Sequence, residues 1–85
     1  MSKKIRIYTA SYCPYCVKAK MLLDRKGLSY EEIDVTNKSE EREKLVVKAQ
    51  GRKTVPQIFI GEMHVGGCDD LYEKEDMGEL DQLLK

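Results

Sequence analysis

The sequence predicts an α/β domain with a mixed four-stranded sheet and helices on both faces, in the order β-α-β-α-β-β-α. Apolar residues alternate at every second position in some short segments and recur at helical spacing in others. A strand-helix-strand unit places its strands parallel through a right-handed crossover, whereas a tight hairpin makes its strands antiparallel. With 85 residues, the chain is expected to form a single domain over residues 1–85.

Strand and helix alternate in the first part of the chain. A β-rich stretch at residues 5–8 predicts the first strand, which a loop follows at once. From Cys16 onward apolar residues recur near helical spacing, and Gly27 supplies a helix stop. Ile33 and Val35 alternate with acidic residues, as expected of a second strand.

A second helix is predicted after that strand. Asn37 stands three residues before Glu40, a spacing that resembles a capping box at a helix start. The helix is expected to run through Ala49, with Gly51 ending it.

The second half of the chain predicts a hairpin and a last helix. Residues 55–60 and 63–65 form two strand-like segments, and the Gly-Glu pair between them is typical of a tight turn. Either Asp69 or Asp70 is predicted to cap the helix that follows. Gly78 breaks this helix before a last apolar segment.

Charge and cysteine content exclude several classes of protein. The 15 basic and 15 acidic side chains cancel, so no overall field favours nucleic acid or an anionic membrane. The chain start lacks the apolar stretch of a signal peptide, and no later apolar run is long enough to span a bilayer. Three cysteines do not suit a disulfide framework but suit a reducing compartment. We therefore expect a cytoplasmic monomer without nucleic-acid or membrane partners.

Two cysteines stand at the junction of the first strand and the first helix. Unpaired amides and the helix dipole stabilise a thiolate at a helix start, so Cys13 is the predicted nucleophile. Pro14 fits the first helical turn, where its missing N–H has no partner to lose. Cys16, one turn further in, is predicted to resolve the mixed disulfide on Cys13, unless a second small thiol does so.

Metal binding is the alternative for these cysteines. A structural zinc site needs four ligands, and Cys13, Cys16, Cys68 and His64 supply that number. Redox chemistry is favoured because the helix start suits a thiolate, so no metal is expected. Cys68 is interpreted chiefly as a packing residue and secondarily as an oxidation site, and His64 as a hairpin residue.

Three motifs together resemble the dithiol glutaredoxins, and the order of strands and helices matches theirs along essentially the whole chain. The motifs are Cys13-Pro14-Tyr15-Cys16, Thr54-Val55-Pro56 and Gly66-Gly67-Cys68-Asp69-Asp70. The resemblance implies a thioredoxin-like fold, glutathione as cosubstrate, and reduction of protein disulfides or glutathione mixed disulfides. It also implies that Pro56 is cis and faces the cysteine pair.

The same motifs predict a binding site for glutathione. The N–H and C=O of Val55 are expected to pair with an extended peptide, as in strand addition. The glycine pair lets the backbone approach a ligand, and the amides of Cys68 and Asp69, at a helix start, suit a carboxylate. The predicted glutathione-binding residues are Tyr15, Thr54, Val55, Pro56, Gly67, Cys68, Asp69 and Asp70.

Neighbouring side chains complete this prediction. Asp69 or Asp70 could accept from the ligand's ammonium group, and Arg52 or Lys53 could meet its other carboxylate. Tyr12 flanks the thiols, where it either lines the site or shields it.

One position departs from the family pattern. Many glutaredoxins carry a lysine three residues before the first active-site cysteine, and this chain has Ala10 there. A cation at that place stabilises the thiolate and can pair with a ligand carboxylate. Lys18 and Lys20 on the following helix are the candidates to substitute for it.

Two other functions therefore stay beside the glutathione-dependent one. The first is a glutaredoxin-like redoxin that takes electrons from a flavoprotein such as thioredoxin reductase. The second is an iron–sulfur carrier, in which Cys13 from two subunits and two glutathiones would hold a cluster.

Overall fold

The computed structural model describes residues 4–11, 13–52 and 54–84, which contain one sheet and four helices. Its strands are β1 (Ile5–Thr9), β2 (Glu31–Asp34), β3 (Gln57–Ile60) and β4 (Met63–Gly66). Its helices are α1 (Pro14–Arg25), α2 (Ser39–Lys48), α3 (Cys68–Asp76) and α4 (Glu79–Leu83). Within the described ranges, no helix has the length and apolar character needed to cross a bilayer.

The strands form a mixed sheet in the order β2-β1-β3-β4. β1 pairs with β2 in parallel, with Tyr8 opposite Ile33. β1 also pairs with β3 in the antiparallel direction, with Ile7 opposite Ile58, and the β3–β4 hairpin is antiparallel as well. The prediction of a mixed four-stranded sheet flanked by helices is confirmed.

Each face of the sheet packs against helices because successive strand residues point to opposite sides. On one face, Ile7 and Ile58 pack against buried residues of α1, α3 and α4, among them Ala19, Leu22, Leu23, Leu71 and Leu80. On the other face, Tyr8 and Phe59 pack with Val35 and with Leu45 of α2. The Tyr8 and Phe59 rings meet edge to face, with centroids 5.6 Å apart.

Helix α1 is defined at both ends by the residues that the sequence predicts. Pro14 is its first residue, and its C-terminus closes at Gly27, whose φ of +71° suits glycine. The Gly27 N–H donates to the Asp24 carbonyl, and the Leu28 N–H donates to the Leu23 carbonyl. These two hydrogen bonds satisfy carbonyls at the helix end and fix where the chain turns toward β2.

The predicted capping box at the start of α2 is wrong. Asn37 has a φ of +59° and precedes the N-cap residue, Lys38, which makes no side-chain capping hydrogen bond. Asn37 does not act as a cap because of a hydrogen bond just before it, in which the Asp34 carboxylate accepts from the Thr36 N–H at 2.7 Å. This Asx-type turn carries Asn37 into a left-handed conformation, so the helix begins only at Ser39.

The end of the chain contains two helices where the sequence predicts one helix and an apolar segment. Gly78, with a φ of +73°, separates α3 from α4, so the predicted break is correct. The apolar segment itself is helical because Leu80 is completely buried against the first core face, with Leu83 packed beside it.

Strand β2 forms one edge of the sheet and is strongly acidic. Three of its four residues, Glu31, Glu32 and Asp34, are exposed. Glu31 pairs with Arg6 on the neighbouring strand at 3.2 Å, and Glu32 pairs with Lys20 of α1 at 3.0 Å. The acidic edge is therefore linked to basic residues that lie inward of it.

Candidate active site

The Cys13 sulfur lies at the N-terminus of α1. Cys13 is the N-cap residue, with extended backbone (φ −104°, ψ 107°), and its sulfur accepts from the Cys16 N–H at 3.3 Å. The sulfur thus occupies the place that an oxygen takes in the usual N-cap side chains. The free amides and the dipole of a first helical turn favour negative charge at such a position.

Cys16 lies behind Cys13 in the core and is only 1% exposed. Burial, and then the hydrogen bond to Cys13, raise the pKa of Cys16 from 9.0 to about 12. Cys16 is therefore a protonated thiol at neutral pH, whereas Cys13 is partly exposed at the mouth of the helix. The assignment of Cys13 as the attacking thiol and Cys16 as the resolving thiol stays a prediction, and this difference in exposure is its structural basis.

The three thiols are expected to react with iodoacetamide in a fixed order. At pH 7, Cys13 should be alkylated first and Cys16 at least tenfold more slowly, because Cys16 is buried and a raised pKa keeps it protonated. Raising the pH toward 10 should speed the reaction at Cys16, since more of it ionises. Peptide mapping by mass spectrometry gives the rates, and equal labelling of Cys13 and Cys16 at pH 7 would contradict this assignment.

The segment before β3 faces the cysteine pair. The Cys13 thiol donates to the Val55 carbonyl at 3.4 Å, and the Val55–Pro56 bond is cis. Only the protonated sulfur can donate this hydrogen bond. Ionisation of Cys13 therefore releases the Val55 carbonyl, so that another donor can use it.

The start of α3 forms the third side of the site. Gly67 is its N-cap residue, and the Asp70 carboxylate accepts from the Gly67 N–H at 2.9 Å. The prediction that Asp69 or Asp70 caps this helix is therefore wrong in position, since both aspartates lie within α3, and Asp70 reaches back to the N-cap amide from the first turn. Its carboxylate also pairs with Arg52 at 2.8 Å, and these two contacts, Arg52 first, hold the pKa of Asp70 below its usual value.

Gly66 makes this arrangement possible. Its φ is +122°, and a Cβ atom placed there would lie 2.7 Å from Asp70 Cγ and 2.9 Å from an Arg52 nitrogen. Any side chain at this position would therefore displace the Arg52–Asp70 pair.

The three segments enclose an open cleft of about 200 Å³ beside the cysteine pair. Its lining residues are Tyr15, Arg52, Thr54, Val55, Pro56, Gly67, Cys68 and Asp69. The cleft thus brings together every residue predicted to bind glutathione except Asp70, which is used to hold Arg52 and the Gly67 amide. The two remaining candidates, Tyr12 and Lys53, lie outside the described residues.

Cys68 is part of the core, as the packing interpretation predicts. It is 6% exposed and belongs to the cluster that includes Ile58 and Leu71. Burial raises the pKa of the Cys68 thiol, which keeps it protonated and poorly nucleophilic. Cys68 is also the first residue of α3 and lines the cleft.

The four residues of the zinc alternative are not brought together into one site. The His64 ring bonds to Gln57 instead of approaching the cysteines. Across the ranges 4–11, 13–52 and 54–84, no group of three or more His, Cys, Asp or Glu side chains is placed to hold a metal ion.

The two lysines considered as replacements for the family's lysine have other partners. Lys20 pairs with Glu32 at 3.0 Å, and the Lys18 ammonium lies 5.9 Å from the centre of the Tyr72 ring. At Ala10 itself, the backbone carbonyl accepts from the Cys13 N–H at 3.2 Å. Neither lysine is therefore shown to take the place of the family's lysine beside Cys13.

Sequence reasoning missed one pair of residues behind the cleft. Gln57 is completely buried and donates to the carbonyl of Thr54 at 2.9 Å, while His64 lies 2.7 Å from its amide oxygen. The available signal was a polar residue within the otherwise apolar segment of residues 55–60. Such a residue, when buried, needs hydrogen-bond partners.

Two cysteines lie at a helix start, and the segment that contains Pro56 faces them. This is the arrangement of a thiol–disulfide oxidoreductase. The family model described as Glutaredoxin matches residues 5–65. Glutaredoxin 1 of Rickettsia prowazekii is 60% identical over 82 residues, which covers 95% of this chain and 86% of that protein. The chain belongs to the glutaredoxin family.

Solved structures agree with this assignment. The solution structure of glutaredoxin from Brucella melitensis is 54% identical, with a TM-score of 0.87 over 99% of this chain and 90% of that one. The crystal structure of a buckwheat glutaredoxin–glutathione complex is 34% identical, with a TM-score of 0.87 over 96% of this chain and 76% of that one. The fold is that of these proteins, the thioredoxin fold.

Proposed function

We propose that this protein is a glutathione-dependent thiol–disulfide oxidoreductase that reduces glutathione mixed disulfides and protein disulfides. The main observation behind this proposal is the position of the Cys13 sulfur. It lies 3.4 Å from the carbonyl oxygen of Val55, a residue that lines the cleft. A cysteine-containing peptide that pairs with the Val55 backbone would bring its own sulfur beside Cys13. Glutathione is such a peptide, and the buckwheat relative was solved in complex with it.

The charges around the cleft suit the two ends of glutathione. The first amides of α3, at Cys68 and Asp69, favour one carboxylate, and Arg52 favours the other. Asp69 is exposed at the cleft and suits the ammonium group. The ligand would thus lie with its central cysteine between charged ends, along the backbone of Val55.

The reaction begins with attack of the Cys13 thiolate on a glutathione mixed disulfide. A new S–S bond forms between Cys13 and the glutathione sulfur while the original S–S bond breaks, and the substrate protein leaves as a thiolate. A second glutathione thiolate then attacks the disulfide on Cys13, which releases oxidised glutathione and restores Cys13. In this route the electrons come from glutathione, and a single protein thiol is sufficient.

Protein disulfides take the dithiol route. Cys13 first forms a mixed disulfide with the substrate, and Cys16 then attacks Cys13, which closes the Cys13–Cys16 disulfide and releases the reduced substrate. Burial is the largest cause of the raised pKa of Cys16, and the hydrogen bond with the Cys13 side chain is the second largest. The Cys13 contribution ends when its sulfur enters the mixed disulfide, so Cys16 ionises more easily at the step where it must attack.

The expected partners are glutathione and proteins that carry disulfides or glutathione adducts. We propose that the protein is a cytoplasmic monomer, and its small, odd number of cysteines suits a compartment that keeps thiols reduced.

A coupled assay tests the proposed function. With a glutathionylated peptide as substrate, NADPH consumption is expected with glutathione plus glutathione reductase and not with thioredoxin reductase alone. The reverse pattern would replace the proposal with the flavoprotein-reduced redoxin. A purified protein that is coloured, contains stoichiometric iron and lacks turnover would replace it with the iron–sulfur carrier.

A further inference from the structure

Gln57 is a buried polar residue behind the wall of the cleft. It opens β3 and is 0% exposed, and the three strand residues that follow it are all buried and apolar. Burying an amide is costly unless its donors and acceptor are used. The partners of Gln57 are therefore informative.

The contacts of Gln57 fix the direction of its amide. Its nitrogen lies 2.9 Å from the Thr54 carbonyl oxygen and 3.3 Å from the Thr54 hydroxyl oxygen. A carbonyl can only accept, so the NH₂ group must face Thr54 and the amide oxygen must face the other way. On that side, the His64 Nε2 atom lies 2.7 Å from the Gln57 oxygen.

His64 must then be the donor, through an Nε2–H. The neutral tautomer protonated at Nε2 and the cationic ring both carry this hydrogen, so the bond survives titration of the ring. The ring is half-buried on β4 and stacks at 32° on Phe59, with centroids 5.0 Å apart. Its position is therefore set by the sheet and not by the cleft.

The direction of the Thr54 carbonyl also sets the direction of the Val55 N–H. It shares a peptide plane with the Val55 N–H, and this bond is trans, unlike the next one. In a trans peptide the C=O and N–H point in opposite directions. A Thr54 carbonyl held toward Gln57 consequently turns the Val55 N–H away from it, toward the side that the ligand would occupy.

We propose that Gln57 and His64 are positioning residues for glutathione. His64 holds the Gln57 amide, Gln57 holds the Thr54 carbonyl, and the Thr54 carbonyl fixes the direction of the Val55 N–H. This inference rests on the proposed function, since it concerns the same cleft. Without the His64 donor, the Gln57 oxygen is buried and unpaired, and its amide turns to seek another partner. The Thr54–Val55 peptide plane then loses its restraint, and the ligand is held less well.

Two variants at His64 test the proposed positioning role. His64→Phe keeps a ring against Phe59 but removes the donor, whereas His64→Gln offers a new N–H to the Gln57 oxygen. With a glutathionylated peptide, His64→Phe should raise the KM about fivefold, the effect of one hydrogen bond, with kcat unchanged. His64→Gln should lie close to the parent protein, and the rate of Cys13 alkylation should be the same in all three proteins.

Several outcomes would overturn the inference. An unchanged KM in His64→Phe, an equal rise in both variants, or a change in the Cys13 alkylation rate would each do so. Nitrogen NMR of the parent protein gives a readout that no variant's folding affects, because a neutral His64 protonated at Nδ1 contradicts the proposed bond. A parent protein with no turnover on this substrate would reject the proposed function too, whereas normal turnover with an insensitive His64→Phe rejects only the positioning role.

Discussion

Cys13→Ser is expected to remove all thiol–disulfide exchange, with activity falling at least a thousandfold on both a glutathionylated peptide and a disulfide-bonded protein. Both routes begin with the Cys13 thiolate, and a serine hydroxyl does not ionise to attack a disulfide at neutral pH. Neither remaining thiol can substitute, since burial raises the pKa of both Cys16 and Cys68 and keeps them protonated. Activity is measured with each substrate under the same coupled conditions.

The fold of this variant should be preserved, which makes the loss interpretable. Position 13 is the N-cap of α1, and serine is among the preferred residues there because its oxygen accepts from a first-turn amide. Thermal unfolding should therefore remain close to that of the parent protein. Substantial activity of a folded Cys13→Ser protein on either substrate would reject Cys13 as the nucleophile.

Cys16→Ser is expected to separate the two reactions. Reduction of a protein disulfide should fall at least tenfold, because the mixed disulfide on Cys13 loses its neighbouring resolving thiol. Removal of glutathione from a peptide should persist, since external glutathione resolves that intermediate. The same two substrates provide the measurement, and each acts as the control for the other within one protein preparation.

Two results would contradict this division of roles. Undiminished reduction of the protein disulfide would mean that Cys16 is not the resolving thiol. Loss of both activities from a variant with an unchanged melting temperature would mean that Cys16 is needed before the mixed disulfide forms.

The sheet could be predicted from sequence because its determinants are local. The Gly61-Glu62 turn sets the β3–β4 hairpin, and the strand-helix-strand unit sets the parallel pair. The start of α2 was mispredicted because two signals compete there. Asn37 has the right spacing for a cap, but the hydrogen bond between Asp34 and Thr36 determines its conformation.

In the candidate site, too, the features set by local sequence could be predicted and those set by tertiary packing could not. The positions of the cysteines follow from one contiguous motif at a helix start, which sequence spacing describes well. The Arg52–Asp70 pair joins residues 18 positions apart, so its formation depends on how α3 packs beside the segment before β3. A charged residue in a sequence does not reveal whether it will meet a ligand or another side chain.

The acidic edge of the sheet has a consequence for self-association. An open strand edge invites pairing with another chain, and β2 would bring three carboxylates against those of a second copy. The Thr9 hydroxyl and Lys20 hold the pKa of Glu32 below its usual value, and Thr36 does the same for Asp34. These two groups therefore stay ionised to a lower pH than ordinary carboxylates do, so electrostatic protection against edge-to-edge aggregation should persist further into acid than it would with unperturbed carboxylates.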